Sequence, residues 1–156
     1  MIRIEAATDQ REWDDFLSRQ TFRPFLQSWT MGAVEADTGE KPIRIVARDE
    51  RGILGLAHCN LVPARRGRHL AVPYGPLGSA AALPMLLEKL KEIAKQERCS
   101  FIRMSPFLPA SEGFEPAGSL PAPLHLLAEH IWYLPLVTPD PWASSPAPLS
   151  PPSPDG

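Results

Sequence analysis

At 156 residues, with 44% apolar and 22% charged side chains, the chain has the balance of one globular domain with its own core, and two independent domains are not expected. A formal net charge of −2 gives no bulk attraction for phosphate polymers, so any nucleic-acid contact needs a local basic patch. Two cysteines without CxxC spacing and four scattered histidines supply no recognisable zinc site, and neither a metal nor a bound cofactor is implied.

The opening Met1-Ile2-Arg3-Ile4-Glu5 turns polar at once, unlike a secretory signal. No stretch approaches the roughly 18 apolar residues of a membrane helix, so the expectation is a cytoplasmic protein with no integral membrane segment. Ile2 and Ile4 alternate with Arg3 and Glu5, which predicts a short first strand. Asp9-Gln10-Arg11-Glu12 has capping-box spacing, and Trp13, Phe16 and Leu17 then share one face of a helix. Beyond the Phe22 to Phe25 connection, Ser28 can cap a second helix with Trp29, Ala33 and Ala36 on one side. Gly39 is placed to end that helix in a left-handed conformation.

Ile43 to Ala47 reads as a strand, Asp49-Glu50-Arg51-Gly52 as a turn, and Ile53 to Val62 as a longer strand, together an antiparallel hairpin. Pro63 to Arg68 reads as a second, basic turn, and His69 to Tyr74 as the returning strand. Cys59 and Cys99 fall in strand segments, where a thiol acts as a small hydrophobe. Leu83, Leu86, Leu87, Leu90, Ile93 and Ala94 keep a 3.6-residue period through a helix whose other face carries Glu88, Lys89, Lys91, Glu92 and Lys95. Pro84 is tolerated only in a first turn, which starts this helix near Ala81 or Ala82. Phe101 to Met104 follows as a strand parallel to the one before the helix, because a helical crossover joins them.

From Ser105 to His125 the chain is rich in Pro, Gly and Ser and reads as a long connection; Ile131 to Leu136 is the last strand expected. Residues 137–156 hold Pro139, Pro141, Pro146, Pro148, Pro151, Pro152 and Pro154 and are expected to form a disordered tail. The fold class predicted from this order is α/β (α+β): a GNAT-like mixed sheet flanked by helices over residues 1–136.

Gly75-Pro76-Leu77-Gly78-Ser79-Ala80 stands where an acyl-CoA acyltransferase places its pyrophosphate-binding turn. Gly78 and Ala80 fit that pattern. Gly75 replaces the cationic or amide side chain, however, and Pro76 removes a donor, so a turn that uses glycine for its geometry is the favoured reading. Arg65-Arg66-Gly67-Arg68-His69 could grip phosphate through guanidinium forks, or could be a solvated hairpin tip kept blunt by charge. Asp14, Asp15, Glu88 and Glu92 read as solvated helix charges, and His58, His125 and His130 as structural rather than catalytic. No nucleophile and base have spacing that identifies catalytic residues.

Phe25-Leu26-Gln27-Ser28-Trp29 entering a helix, the Val72-Pro73-Tyr74-Gly75-Pro76 turn, the Leu86 to Ala94 helix leading to Phe101-Ile102-Arg103-Met104-Ser105-Pro106, and the His130 to Leu134 segment together resemble the first half of the FemAB/FemX family of non-ribosomal aminoacyltransferases. The resemblance spans about residues 1–136. It implies transfer of an amino acid from aminoacyl-tRNA to an amine on the stem peptide of a peptidoglycan precursor, building the interpeptide bridge of the cell wall. Family members carry two GNAT-like halves with the substrate cleft between them. Trp29, Arg65, Arg68 and Tyr74 are the expected substrate-side contacts. Glu35 stands on the expected outer part of the Trp29 helix, where members often carry lysine, and there it would repel a phosphate. After Leu136 the family would continue into a second half, whereas this sequence turns to Pro, Ser and Ala. A truncated member is therefore expected, with self-association or a missing second half as the consequence. Two further readings remain: a standalone acyl-CoA N-acyltransferase, and a noncatalytic half-domain that docks a partner.

Overall fold

The computed structural model describes residues 1–65, 67–106, 116–123 and 127. Strand β1 (Arg3–Ala6) is followed by helix α1 (Gln10–Ser18), a 3₁₀ turn (Phe25–Gln27) and helix α2 (Trp29–Asp37). Strands β2 (Pro42–Asp49), β3 (Gly52–Ala64), β4 (Gly67–Val72) and β5 (Leu77–Gly78) come next, then helix α3 (Ala82–Gln96) and strand β6 (Cys99–Met104). The sheet runs β1-β2-β3-β4-β6, with β5 paired to the start of β3. All pairings are antiparallel except β4 with β6, the crossover pair that α3 joins. This is the mixed sheet flanked by helices that the element order predicts.

Local chemistry sets the helix ends. The Asp9 carboxylate accepts from the Arg11 and Glu12 N–H groups at 2.8 and 3.2 Å, and Ser28 Oγ accepts from the Met31 N–H at 3.1 Å. Glu12 pairs with Arg48, which also reaches Glu5 at 3.0 Å, so one cation joins β1, α1 and β2. Gly39, at φ +89, closes α2 as expected, and the Glu40 N–H returns to the Glu35 carbonyl at 2.9 Å. α3 starts at Ala82, with Ser79 supplying its Oγ to the Ala82 N–H and its carbonyl to the Leu83 N–H.

Each face of the sheet has its own core. On one, Ile45, Ala47, Ala57, Cys59, Leu70 and Val72 pack under Leu86, Leu90, Ile93 and Ala94 of α3, the periodic stripe legible in the sequence. Burial there pushes the Cys59 thiol up to about 12, so it is an apolar filler and not a nucleophile. On the other face, Trp13 and Leu17 of α1 cover Val46, Leu56 and Leu77, with Phe16 and Trp29 half-buried beside them.

Three expectations are corrected. The basic turn is tighter than Pro63 to Arg68, because Pro63 pairs with Arg68 and Ala64 with Gly67, and β4 accordingly runs Gly67–Val72 instead of reaching Tyr74. Pro63 is tolerated there because β2 begins at the Pro42–Asn60 pair, so the end of β3 projects past it with that edge unpaired by β2. β5 was not expected at all: Gly78, at φ +149, lies so close to β3 that a Cβ would sit 2.7 Å from the Leu54 carbonyl oxygen. Finally, α2 buries Gly32 and Glu35 instead of Ala33 and Ala36, which are exposed, because the sheet beneath it presents Arg44 and His58. The Ile131 to Leu136 strand, the boundary at residue 136, the tail 137–156, Arg66, His125 and His130 lie outside the described residues. No described helix is long and apolar enough to cross a membrane.

Candidate functional site

β4 and β6 run parallel and end side by side, at Val72 and Met104, and the carboxyl ends of parallel strands are where open sheets bind ligands. Beyond Val72 the chain bulges away from β3. Between the Asn60–Ala71 and Leu56–Leu77 pairs, five residues of the outgoing chain oppose three of β3. The gap is filled by Gln27, which is fully buried. Its Oε1 accepts from the His58 N–H at 2.8 Å, and its Nε2 donates to the carbonyls of His58 at 3.1 Å and Pro73 at 2.6 Å. The amide thus stands in for the ladder partner that β4 withdraws. The Trp13 indole N–H fixes the other side of this turn by donating to the Gln27 carbonyl at 2.8 Å. Gly75 is required at the bulge, since a Cβ there would meet the Gln27 side chain at 2.7 Å.

At the crest of the bulge Tyr74 takes φ +53, a left-handed conformation that a tyrosine rarely adopts. Its N–H donates to Ser105 Oγ at 3.1 Å, and the Ser105 N–H reaches back to the Val72 carbonyl at 3.4 Å. The ends of β4 and β6 are thereby tied together. Trp29, two residues after Gln27, is half-buried, with its ring edge-on to Trp13 at 5.9 Å. The Arg44 guanidinium lies 4.2 Å from the Trp29 ring centroid and donates to the Trp29 carbonyl at 2.9 Å.

Behind Trp29 is a buried polar cluster. His58 Nε2 and Glu35 Oε2 are 2.6 Å apart, with His58 fully buried and the Glu35 side chain 10% exposed. Glu35 therefore faces inward, which corrects the expectation that it stands on the outer part of α2 to repel a phosphate. Burial lowers the titration of both basic groups: His58 falls below its usual value with Glu35 opposing, and Arg44 falls likewise, again with Glu35 opposing.

Of the expected contacts, Trp29 and Tyr74 sit in segments that the Gln27 side chain links through the Pro73 carbonyl, whereas Arg65 and Arg68 lie at the opposite end of β4, by the β3–β4 tip. Arg65 is exposed at the β3–β4 tip, and Arg68 lies 3.4 Å from the carboxylate of Glu97, the residue that caps the end of α3. Six residues separate Arg68 from Tyr74, at most roughly 20 Å at the rise of a strand. The Gly75 to Ala80 stretch behaves as a turn that uses glycine for its geometry: Leu77 and Gly78 pair with β3, and the first α3 N–H groups are taken by Ser79. Asp14, Asp15, Glu88 and Glu92 are exposed as expected. Among the described residues no group of three or more His, Cys, Asp or Glu side chains could hold a metal ion. Gln27, Glu35, Arg44 and Ser105 were missed as site residues. Gln27 and Ser105 carried a signal, their places inside the Phe25 to Trp29 and Phe101 to Pro106 runs.

No protein-family model matches the sequence, and no curated protein matches it. Solved structures do match. FemX superposes with a TM-score of 0.61 at 23% identity, over 71% of this chain and 29% of FemX. A transcriptional regulator from Bacillus halodurans C-125 gives a TM-score of 0.54 at 14% identity, over 80% of this chain and 99% of its own. Ribosomal-protein-alanine N-acetyltransferase from Brucella melitensis biovar Abortus 2308 gives 0.53 at 15% identity, over 68% and 80%. At these identities the likeness is one of fold, and the fold is GNAT-like. The chain spans less than a third of FemX.

Proposed function

We propose that this chain is an aminoacyltransferase half-domain: one GNAT-like unit of a transferase that moves an amino acid from aminoacyl-tRNA to an amine of a peptidoglycan precursor. The observation that carries the reading is Tyr74, held left-handed by Ser105 where β4 and β6 end, in a fold that resembles FemX. Backbone strain persists only where surrounding structure fixes it, and such positions concentrate at ligand sites. Trp29 and Tyr74 serve as contacts at this end of the sheet. Arg65 and Arg68 would meet a phosphate only in a ligand long enough to reach the far tip. Acyl transfer to an amine needs a held ester, a deprotonated amine and donors for the tetrahedral oxyanion, so a substrate-positioning surface contributes to rate without a covalent nucleophile. The domain boundary near residue 136 and the need for a second half are parts of the same proposal.

A second reading, a standalone acyl-CoA N-acyltransferase, draws support from the likeness to the alanine N-acetyltransferase. Isothermal titration separates the two. Heat with a uridine-diphosphate-linked peptidoglycan precursor and none with acetyl-CoA is the expected result. Heat with acetyl-CoA alone favours the second reading, and silence with both leaves a noncatalytic half that docks a partner.

A further inference from the structure

α2 is fastened to the sheet differently from α3. α3 buries Leu83, Leu86, Leu87, Leu90 and Ile93, whereas the buried residues of α2 are Gly32 and Glu35. Trp29 and Met31 are half-buried, Val34 is exposed, and α2 has no fully buried large apolar side chain, so hydrophobic burial contributes less to holding it than it does for α3. Its inward contacts are polar: Glu35 to His58 at 2.6 Å, and Arg44 to the Trp29 carbonyl at 2.9 Å. Gly32 permits the approach, because a Cβ there would come within 2.8 Å of His58 Cε1 and closer still to the Arg44 guanidinium.

We propose that the Glu35–His58 contact is a proton-controlled latch, and that protonation of His58 releases α2 from the sheet. A carboxylate only accepts, so the bond fixes the hydrogen on Nε2 and leaves Nδ1 bare. Nδ1 is buried with no hydrogen-bond partner among the described residues. A proton arriving from solvent must bind there, creating a donor without an acceptor and a second cation beside Arg44. The charged groups facing the imidazole are Glu35 from α2, Arg44 from β2 and Glu40 from the connection between them. The two carboxylates favour the proton while burial and Arg44 oppose it, and burial is the largest influence. His58 therefore titrates below 6.5 in the closed state. In the open state the solvated ring takes its ordinary value, so stability of the closed form is complete above that value and is lost as pH falls toward the depressed one. Across that window the opening constant rises about tenfold per pH unit.

Amide hydrogen exchange of the full chain between pH 7.5 and 5 tests this, with rates corrected for their intrinsic pH dependence. Protection factors over Met31 to Thr38 should fall about tenfold per unit below pH 6.5, while those of Leu86 to Ala94 hold. His58→Gln keeps a donor for Glu35 and cannot titrate, so it should abolish the slope. A flat profile in the wild type, an equal fall in α3, or a slope that survives in His58→Gln overturns the latch. Should that variant not fold, NMR titration of His58 in the wild type decides: a midpoint at or above 6.5 overturns the proposal, and a lower one supports it. Neither readout involves a substrate, so the latch stands or falls independently of the transferase reading.

Discussion

Gln27 takes the place of a strand where the chain after β4 bulges away from β3. Its amide matches the hydrogen-bonding pattern of a peptide group, one acceptor and donors on one planar unit, which is why it can satisfy both the N–H and the C=O of His58. Gln27→Ala would strand these buried groups together with the Pro73 carbonyl, and an unsatisfied buried group costs about 1–3 kcal/mol. The expected outcome is a lower urea midpoint with an unchanged slope, measured by tryptophan fluorescence, since Trp13 and Trp29 flank the lesion. Gln27→Glu should be worse than a neutral loss of contacts. It removes the donor to Pro73 and His58 and places a carboxylate oxygen against their carbonyls.

At the scale of elements, α1 and α3 are held by apolar burial, α2 largely by polar contacts. Leu86 and Leu90 of α3 are fully buried, so Leu90→Ala should lower unfolding free energy by about 2–5 kcal/mol, read from chemical denaturation. The span of that range reflects how far the surrounding Ile, Leu and Ala side chains can collapse into the space. The same periodicity argument that locates this stripe fails for α2, whose inward residues are a glycine and a glutamate. A period in apolar residues identifies a face only where the face is held by burial. β5 escapes sequence reading for a related reason: a two-residue strand has no period, and its place is fixed by the close approach of Gly78 to Leu54 and Gly55.

Across the whole molecule, the residues singled out for ligand contact divide between the two ends of the β3–β4 arm. The division makes a prediction. Arg65 is exposed and supports no fold contact among those described, so Arg65→Ala should leave stability within about 0.5 kcal/mol of the parent. If the tip touches phosphate in an extended precursor, affinity should fall roughly tenfold or more, because a hydrogen bond to a charged group contributes about 1.5–3 kcal/mol. Calorimetric titration of the precursor against both proteins checks this, and unchanged affinity would leave the tip as a solvated hairpin turn. The Arg68 pair with Glu97 is exposed, 3.4 Å long and worth little to the fold, so it does not hold Arg68 away from an anion.

The sequence by itself determined the caps of α1 and α2, the stripe of α3, the parallel β4–β6 pairing and the mixed α/β class, because each follows from backbone preference or from apolar spacing within a few turns of chain. It also singled out Trp29 and Tyr74, together with Arg65 and Arg68, as expected substrate contacts. Only the tertiary structure decided what these residues touch. Glu35 meets His58 across 23 positions and Gln27 meets Pro73 across 46, and no local pattern records which polar side chain will answer a buried donor that far away. Exposed or buried, a glutamate has the same letter; its role is set by the partner the fold brings to it, since a buried charge is tolerated only where it is answered.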